Sequence, residues 1–439
     1  MRPLSRRSFL AASAAAPFAL TRRAGAAAAG DRLTLAFIGV GTMGRGHLGG
    51  FLGRKDVEVV AVCDVVKERL DSAKQSVERR YADRVKSGDY KGVKATGDFR
   101  EILDDKSIDA VVIATPDHLH AIPAVLAARA GKHVYCEKPL TRHLADGRWV
   151  VNEVKKAKVC FQTGSQQRSE FANRFRAAVE MIWNGWIGQV KVVRIGVQGP
   201  AKPCDLPEQE VPKGTDWDSW LGPAPERGYN EILCPKGVHS HYPQWRAYQD
   251  YAGGLLSDMG AHHFDIAQWA LKKDDTGPVE IIPPADPKAD KGLKFVYADG
   301  VVMYHNEFAR EPAPKGKEAS AREISADCVF EGTDGTLLVG RGKLEVIFRD
   351  GRKAGFPDKP QRVAPSSDHK TNWLEAIKAG KEPICPAEIG HRTNSVCQLG
   401  NIGYKLRRKL KWDPAKELFV GDDAANKELA RESRPKWKI

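Results

Sequence analysis

Cysteine is scarce in this chain. There are eight in 439 residues and none in a Cys-x-x-Cys spacing, which excludes a disulfide-built scaffold and a zinc ribbon. One pair, Cys204 and Cys234, flanks a proline-containing loop where an oxidising compartment would permit a bridge. No uninterrupted apolar run approaches the ~20 residues that a bilayer-spanning helix needs, so a stable membrane anchor is not expected. Internal repeats are missing too, which removes solenoids and propellers. Charge of one sign is only mildly in excess: the net charge is +13, and five arginines without a single acid lie in residues 1–30. Subtracting these leaves about +8 on the remainder, scattered among acids, and nucleic-acid binding is not implied. The densest basic cluster, Lys405-Leu406-Arg407-Arg408-Lys409, falls in a helical pattern and reads as a solvated face.

What is present begins at the N-terminus. Ser5-Arg6-Arg7-Ser8-Phe9-Leu10 leads into an Ala-rich stretch, then Arg22-Arg23 and the small residues Ala24 to Ala29. That is the pattern of a twin-arginine export signal over residues 1–30, with cleavage near Ala26 or Ala29. The expectation is a mature protein that works in the periplasm or otherwise outside the cytoplasm.

Leu33 to Ile38 forms a short apolar strand that runs into Gly39-Val40-Gly41-Thr42-Met43-Gly44 and then a helical segment. In this G-x-G-x-x-G arrangement Gly39 makes the tight turn, Gly41 admits a pyrophosphate close to the backbone, and Gly44 lets helix and strand approach. The phosphates would face the helix N-terminus, beside Thr42 and Met43. A second strand, Val57 to Cys63, ends in Asp64, twenty positions after Gly44. A carboxylate there accepts the ribose hydroxyls and repels a 2′-phosphate, which favours NAD over NADP, although Lys67 and Arg69 follow closely. The nearly all-apolar Ala110 to Ala114 reads as a parallel strand buried on both faces. It leads to Thr115-Pro116-Asp117-His118-Leu119-His120, a helix to Ala130, the strand Lys132 to Cys136 and the turn Glu137-Lys138-Pro139.

The pattern changes after Cys160. A helix over Glu170 to Trp183 precedes strands at Val190–Val197, Val279–Ile282, Leu293–Tyr297, Gly300–Phe308, Cys328–Phe330, Thr336–Val339 and Leu344–Phe348. Their alternation predicts a large, mostly antiparallel open sheet with helices on one side. The fold class is therefore α/β: a Rossmann dinucleotide-binding domain over residues 31–157, then an α+β substrate and oligomerisation domain over 158–439. Within the second half, Asp258, His262 and Asp265 stand at i, i+4 and i+7, one face of a helix. Acid/base work, a metal site and satisfied structural residues compete for this triplet; with no second ligand cluster nearby, no metal is expected. Residues 199–251 form a long insert holding Trp217, Trp220, Tyr229, Tyr242, Trp245, Tyr248 and Tyr251. A wall for stacking carbohydrate and the core of an ordered loop are both open readings.

Thr-Pro-x-x-x-His followed by Gly-Lys-x-Val-x-x-Glu-Lys-Pro, together with Asp258-x-x-x-His262, resembles the glucose-fructose oxidoreductase / inositol dehydrogenase / MocA family. Trp217-Asp218-Ser219-Trp220-Leu221-Gly222-Pro223 resembles its export-signal-bearing members, and the likeness runs from Arg32 to Pro414. The resemblance implies an NAD(P)-dependent oxidoreductase acting on a CH–OH group of a sugar, cyclitol or glycoside, and a homo-oligomer, dimer or tetramer. It implies Lys138, Asp258 and His262 as the catalytic set, also touching substrate with Trp245 and Tyr248. Gly39, Gly41, Thr42, Met43, Gly44, Asp64, Thr115, Pro116, His120, Glu137, Lys138 and Arg168 are the expected cofactor contacts. His262 is the expected general base with Asp258 steadying its imidazolium, and Lys138 supplies charge to the developing alkoxide. Export leaves no nucleotide pool to exchange with, so the cofactor is expected to stay bound and be recycled in place. Transient oxidation that eases glycoside cleavage and a non-catalytic NAD-binding sensor are the alternatives.

Overall fold

The computed structural model describes residues 32–312, 323–351, 353 and 355–439; the expected export signal lies outside the described residues. Strands β1 (Leu33–Ile38), β2 (Val57–Cys63), β3 (Lys94–Thr96), β4 (Ala110–Ile113), β5 (His133–Cys136) and β6 (Phe161–Thr163) form an all-parallel sheet in the order β3-β2-β1-β4-β5-β6. Alternate residues of β1 enter different cores: Leu35 and Phe37 pack with helix Thr42–Leu52, Ala36 and Ile38 with helix Ala121–Arg129. Both faces are covered, which is why β4 is apolar throughout. The order reverses between β1 and β4, so the crevice at their C-terminal ends is where such a sheet takes a ligand. The sixth strand lies beyond residue 157, and Trp373 and Leu374 from helix His369–Ala379 complete one of the two cores.

The second sheet has nine strands. They are β7 (Val190–Ile195), β8 (Glu280–Ile282), β9 (Lys294–Val296), β10 (Val302–His305), β13 (Cys328–Gly332), β14 (Gly335–Val339), β15 (Leu344–Phe348), β16 (Leu410–Asp413) and β17 (Leu418–Phe419), with a separate hairpin of β11 (Ala309–Arg310) and β12 (Glu323–Ile324). The order β15-β14-β13-β7-β10-β9-β8-β16-β17 is antiparallel except where β10 meets β7. Helices Arg174–Trp183, Gly260–Ala270 and Ala387–Leu406 cover one face, where Phe175, Phe264, Phe295 and Phe330 are fully buried. The opposite face is partly solvated: Arg194 stacks on Tyr304 and pairs with Glu331 at 2.6 Å and Glu307 at 2.9 Å. No described helix is long and apolar enough to cross a membrane.

The insert folds on its own small core. Trp217 and Trp220 stack at 4.6 Å, with Tyr229, Trp245, Tyr248 and Tyr251 buried around them. Cys204 and Cys234 are free thiols, not a bridge.

Candidate active site

A cavity of about 1230 Å³ opens where β1 and β4 end, floored by the first sheet and roofed by the insert. It exceeds the ~300–1,000 Å³ of an ordinary small-molecule site, leaving room for a dinucleotide and a second molecule.

At its phosphate end the glycines have distinct duties. Gly39 adopts φ +85°, and a Cβ there would sit 2.8 Å from the Ala114 carbonyl. A Cβ on Gly44 would strike the Gly39 carbonyl oxygen at 2.1 Å, whereas one on Gly41 would meet nothing within 4 Å. The first and third glycines are thus fixed by packing and the second by the open cradle itself. Asp64 is buried; its Oδ2 and Oδ1 accept the Val40 and Val66 amides, each at 2.9 Å. Burial pushes its carboxyl up, against the nearby Arg69. The remaining lone pairs border the cavity, where ribose hydroxyls would meet them. A dinucleotide therefore fits the residues present: Gly39 to Gly44 for the pyrophosphate, Asp64 for the ribose, Thr115 and Pro116 along the wall.

Arg69 does not wait for a 2′-phosphate. Its Nε donates to the Gly237 carbonyl at 3.0 Å and a terminal nitrogen donates to that of Pro235. Arg45 donates to the His239 carbonyl, and Thr42 Oγ1 to that of His241 at 2.9 Å. Segment 235–243 of the insert is thereby strapped over the glycine turn.

At the other end Lys138 lies two residues past β5 and is joined to Pro139 by a cis bond. Its Nζ donates to Asp258 Oδ1 at 2.7 Å and to the Asp258 carbonyl at 2.9 Å. Arg246 Nε approaches the same Oδ1 to 3.5 Å from a perch 4.1 Å above the Trp245 ring. Burial alone would push Asp258 up; Lys138 and Arg246 outweigh it and hold the carboxyl below its ordinary range. His262 borders the same cavity, with no partner for its Nδ1 among the described residues. Burial, then Lys138 and Arg341, push its imidazole well below the usual value. Asp258 therefore serves Lys138 rather than steadying a His262 imidazolium, and His262 is poorly suited to keep a proton.

Four expected contacts have other occupations. Arg168 is sealed from the cavity, bidentate to Asp265 at 2.8 Å twice and to Asp274 at 2.7 and 3.0 Å. Its charge needed buried partners, and the aspartate one helical turn beyond His262 supplies them. His120 braces the Glu-Lys-Pro turn, its ring nitrogens 2.8 Å from the Pro139 carbonyl and 2.9 Å from that of Thr115. Tyr248 packs in the insert core under Lys202, so that Trp245, with Trp220 and Tyr242, borders the cavity instead. Glu137 is held by His47 and Gln166, each at 2.7 Å. Burial would raise its carboxyl, and His47 brings it below the ordinary range.

A family model described as an oxidoreductase family, NAD-binding Rossmann fold, matches residues 33–165, and its companion, the C-terminal alpha/beta domain, matches residues 201–439. The chain belongs to the Gfo/Idh/MocA oxidoreductase family. It is similar to a myo-inositol 2-dehydrogenase of Thermotoga maritima, 32% identical over 279 residues that make up 63% of this chain and 61% of the relative. A glycosyl hydrolase family 109 protein of Stenotrophomonas maltophilia is 32% identical over 233 residues, 49% of this chain and 50% of the relative. The chain thus spans between half and two thirds of these curated relatives. A solved levoglucosan dehydrogenase, in complex with NADH and levoglucosan, superposes with a TM-score of 0.56 over 87% of this chain and 99% of that one, at 19% identity, a likeness of fold.

In this family member the spacing of motifs did not reveal Asp117, Arg246 or Arg341, all of which border the cavity. Arg246 carries a local signal, a cation between Trp245 and Tyr248 in the aromatic insert; Arg341 sits on a strand-end loop with none. Among the described residues no group of three or more His, Cys, Asp or Glu is placed to hold a metal ion.

Proposed function

We propose that this protein oxidises a CH–OH group of a sugar or cyclitol with NAD that stays bound through the catalytic cycle, after export through the twin-arginine pathway. The observation that carries the retained cofactor is the strap: Arg69, Arg45 and Thr42 each hold a carbonyl of segment 235–243 over the glycine turn. The Lys67 amide adds a backbone bond to the Gly214 carbonyl at 2.9 Å. Release requires these bonds to part together, which slows dissociation. When bound, the dinucleotide supplies a hydride acceptor.

The protein's own part is to move the hydroxyl proton. Lys138, aligned by Asp258, meets the oxygen and stabilises the alkoxide as it forms. His262 stays uncharged and donates a ring N–H to the hydroxyl oxygen, which orients the hydroxyl with its proton toward Lys138. Trp220, Tyr242 and Trp245 offer ring faces to the sugar. Its relatives' dehydrogenase names support the substrate class, and the partly solvated face of the second sheet is the proposed surface for homo-oligomers.

Denaturing the purified mature protein and identifying released small molecules by mass spectrometry tests this reading. One NAD per chain, retained through extensive dialysis, is expected. An empty protein that takes up no added NAD would overturn it. The similarity to the glycosyl hydrolase family 109 protein supports a second reading, in which transient oxidation precedes cleavage of a glycoside. Glycoside turnover that generates free sugar without net NADH would favour it.

A further inference from the structure

Oxidation leaves a proton that the site's obvious bases are badly placed to keep. A charged His262 would stand in a buried position facing Lys138 and Arg341. Lys138 is locked by two hydrogen bonds from its Nζ to Asp258, which is the arrangement of an ammonium. To accept a hydroxyl proton it must first give one away, and Asp258, flanked by two cations, is the weaker acceptor.

Asp117 stands beside this pair. It follows Pro116 at the end of β4 in a short helical turn, Asp117–Leu119, and borders the same cavity as Lys138 and Asp258. The residue is only 3% exposed, and its Oδ2 has no hydrogen-bond partner among the described residues. An ionised carboxylate with a bare buried oxygen is costly; a carboxylic acid is not. The charged groups acting on it are Asp258, Arg246, Lys138 and Arg142, and it acts in turn on the buried thiols of Cys136 and Cys397.

We propose that Asp117 is the proton store of the reaction centre, exchanging a proton with Lys138 so that Lys138 can take the one released by the substrate hydroxyl. This rests on the dehydrogenase reading above. In the oxidative direction Lys138 gives a proton to ionised Asp117 and becomes an amine. The substrate O–H bond then breaks, its electron pair becomes the second bond of the C=O group, and its proton passes to the Lys138 amine. The hydride half of the oxidation belongs to the dinucleotide, so one hydride and one proton, two electrons and two protons in all, leave the alcohol. Asp117 later returns its proton to water. Burial, with Asp258 as like-charged neighbour, pushes its carboxyl up to about 8. The store therefore empties slightly above neutral pH, and oxidation should accelerate about tenfold per pH unit below that point and level off above it.

Infrared spectra of the purified holoprotein, grown with 13C-labelled aspartate, read the store without needing a substrate. The wild type should show a carboxylic-acid carbonyl band at neutral pH that disappears by about pH 10, and Asp117→Asn should lack it. Released NAD per chain serves as the folding control for the variant. In parallel, NADH formation from myo-inositol and levoglucosan is followed against pH. The alkaline rise should vanish in Asp117→Asn, with kcat falling and KM little changed. No titrating band, or an Asp117→Asn profile that keeps the wild-type rise, would overturn the inference. A titrating band in a wild type inert toward every sugar would leave the proton store standing and count against the dehydrogenase reading alone.

Discussion

Two cations from the first half of the chain reach two aspartates seven residues apart, with opposite results. Lys138 meets Asp258 with a single nitrogen, side chains 11% and 14% exposed, in the wall of a large cavity. Arg168 meets Asp265 with a planar fork, side chains 1% and 0% exposed, backed by Asp274, Thr393 and the Trp269 ring. The first pair keeps lone pairs and protons within reach of a substrate; the second is turned wholly toward protein partners. Lysine suits the former as a point charge that can shed a proton, arginine the latter as a fixed fork that cannot. Reactivity here follows from what a pair leaves unsatisfied rather than from the presence of opposite charges.

The difference is broken most sharply at Lys138. Lys138→Ala should lower kcat by about 10⁴-fold, the upper end of what a positioned proton-transfer group contributes, while bound NAD and the thermal midpoint stay near wild type. Asp258 retains Arg246 and access to cavity water, so its charge is not stranded. Steady-state rates and released cofactor measured on one preparation check both halves, and retained turnover would remove Lys138 from the chemistry. Arg168→Ala is the inverse experiment. It strands a buried Asp265 carboxylate, whose carboxyl burial already pushes up against the pull of Arg168. A loss of about 3–5 kcal/mol in chemical denaturation is expected. The double change Arg168→Met with Asp265→Leu should recover much of it, and a mild single variant would mean that the pair is not structural.

The two pairs also mark the limit of reading from sequence. Gly39, Gly41, Gly44, Asp64, Lys138 and the Asp258/His262 spacing were legible because each belongs to a local segment whose backbone path is set by its own turn chemistry. The parallel sheet of the first domain, though not its full strand set, followed from the same strand-helix alternation. Asp265 was grouped with Asp258 and His262 by helical phase, yet one turn further along its helix it meets Arg168 and Thr393, and only the first two border the cavity. The occupations of Arg168, Arg69 and Asp117 depend on partners 97, 168 and 141 positions away, contacts that no local pattern encodes. The short strands β3, β16 and β17 and the last strand of the first sheet were missed for a related reason. With two to four residues each, they owe their existence to a neighbour's open edge.

A third ion cluster, distant from the cavity and partly solvated, should fall between these extremes. Arg148 joins Glu388 and Glu417, each at 2.7 Å, and His391 reaches Glu417 at 2.7 Å, tying helix Leu144–Ala157 to helix Ala387–Leu406 and the β16–β17 turn. Burial opposes both glutamates' charges, yet Arg148 and its companions bring each carboxyl down to about 2. A carboxyl depressed in the folded state stabilises above the unfolded value of about 4.3, and that contribution drains away as pH falls toward 2. Arg148→Met should therefore cost about 1–2 kcal/mol at neutral pH, discounted for the solvent that reaches Arg148, and leave kcat unchanged. Its denaturation midpoint should fall less steeply than that of the wild type between about pH 5 and 2, so the two curves converge in acid. Parallel curves would mean that the glutamates draw their depressed values from Arg392 and His391 alone, placing the link between the domains elsewhere.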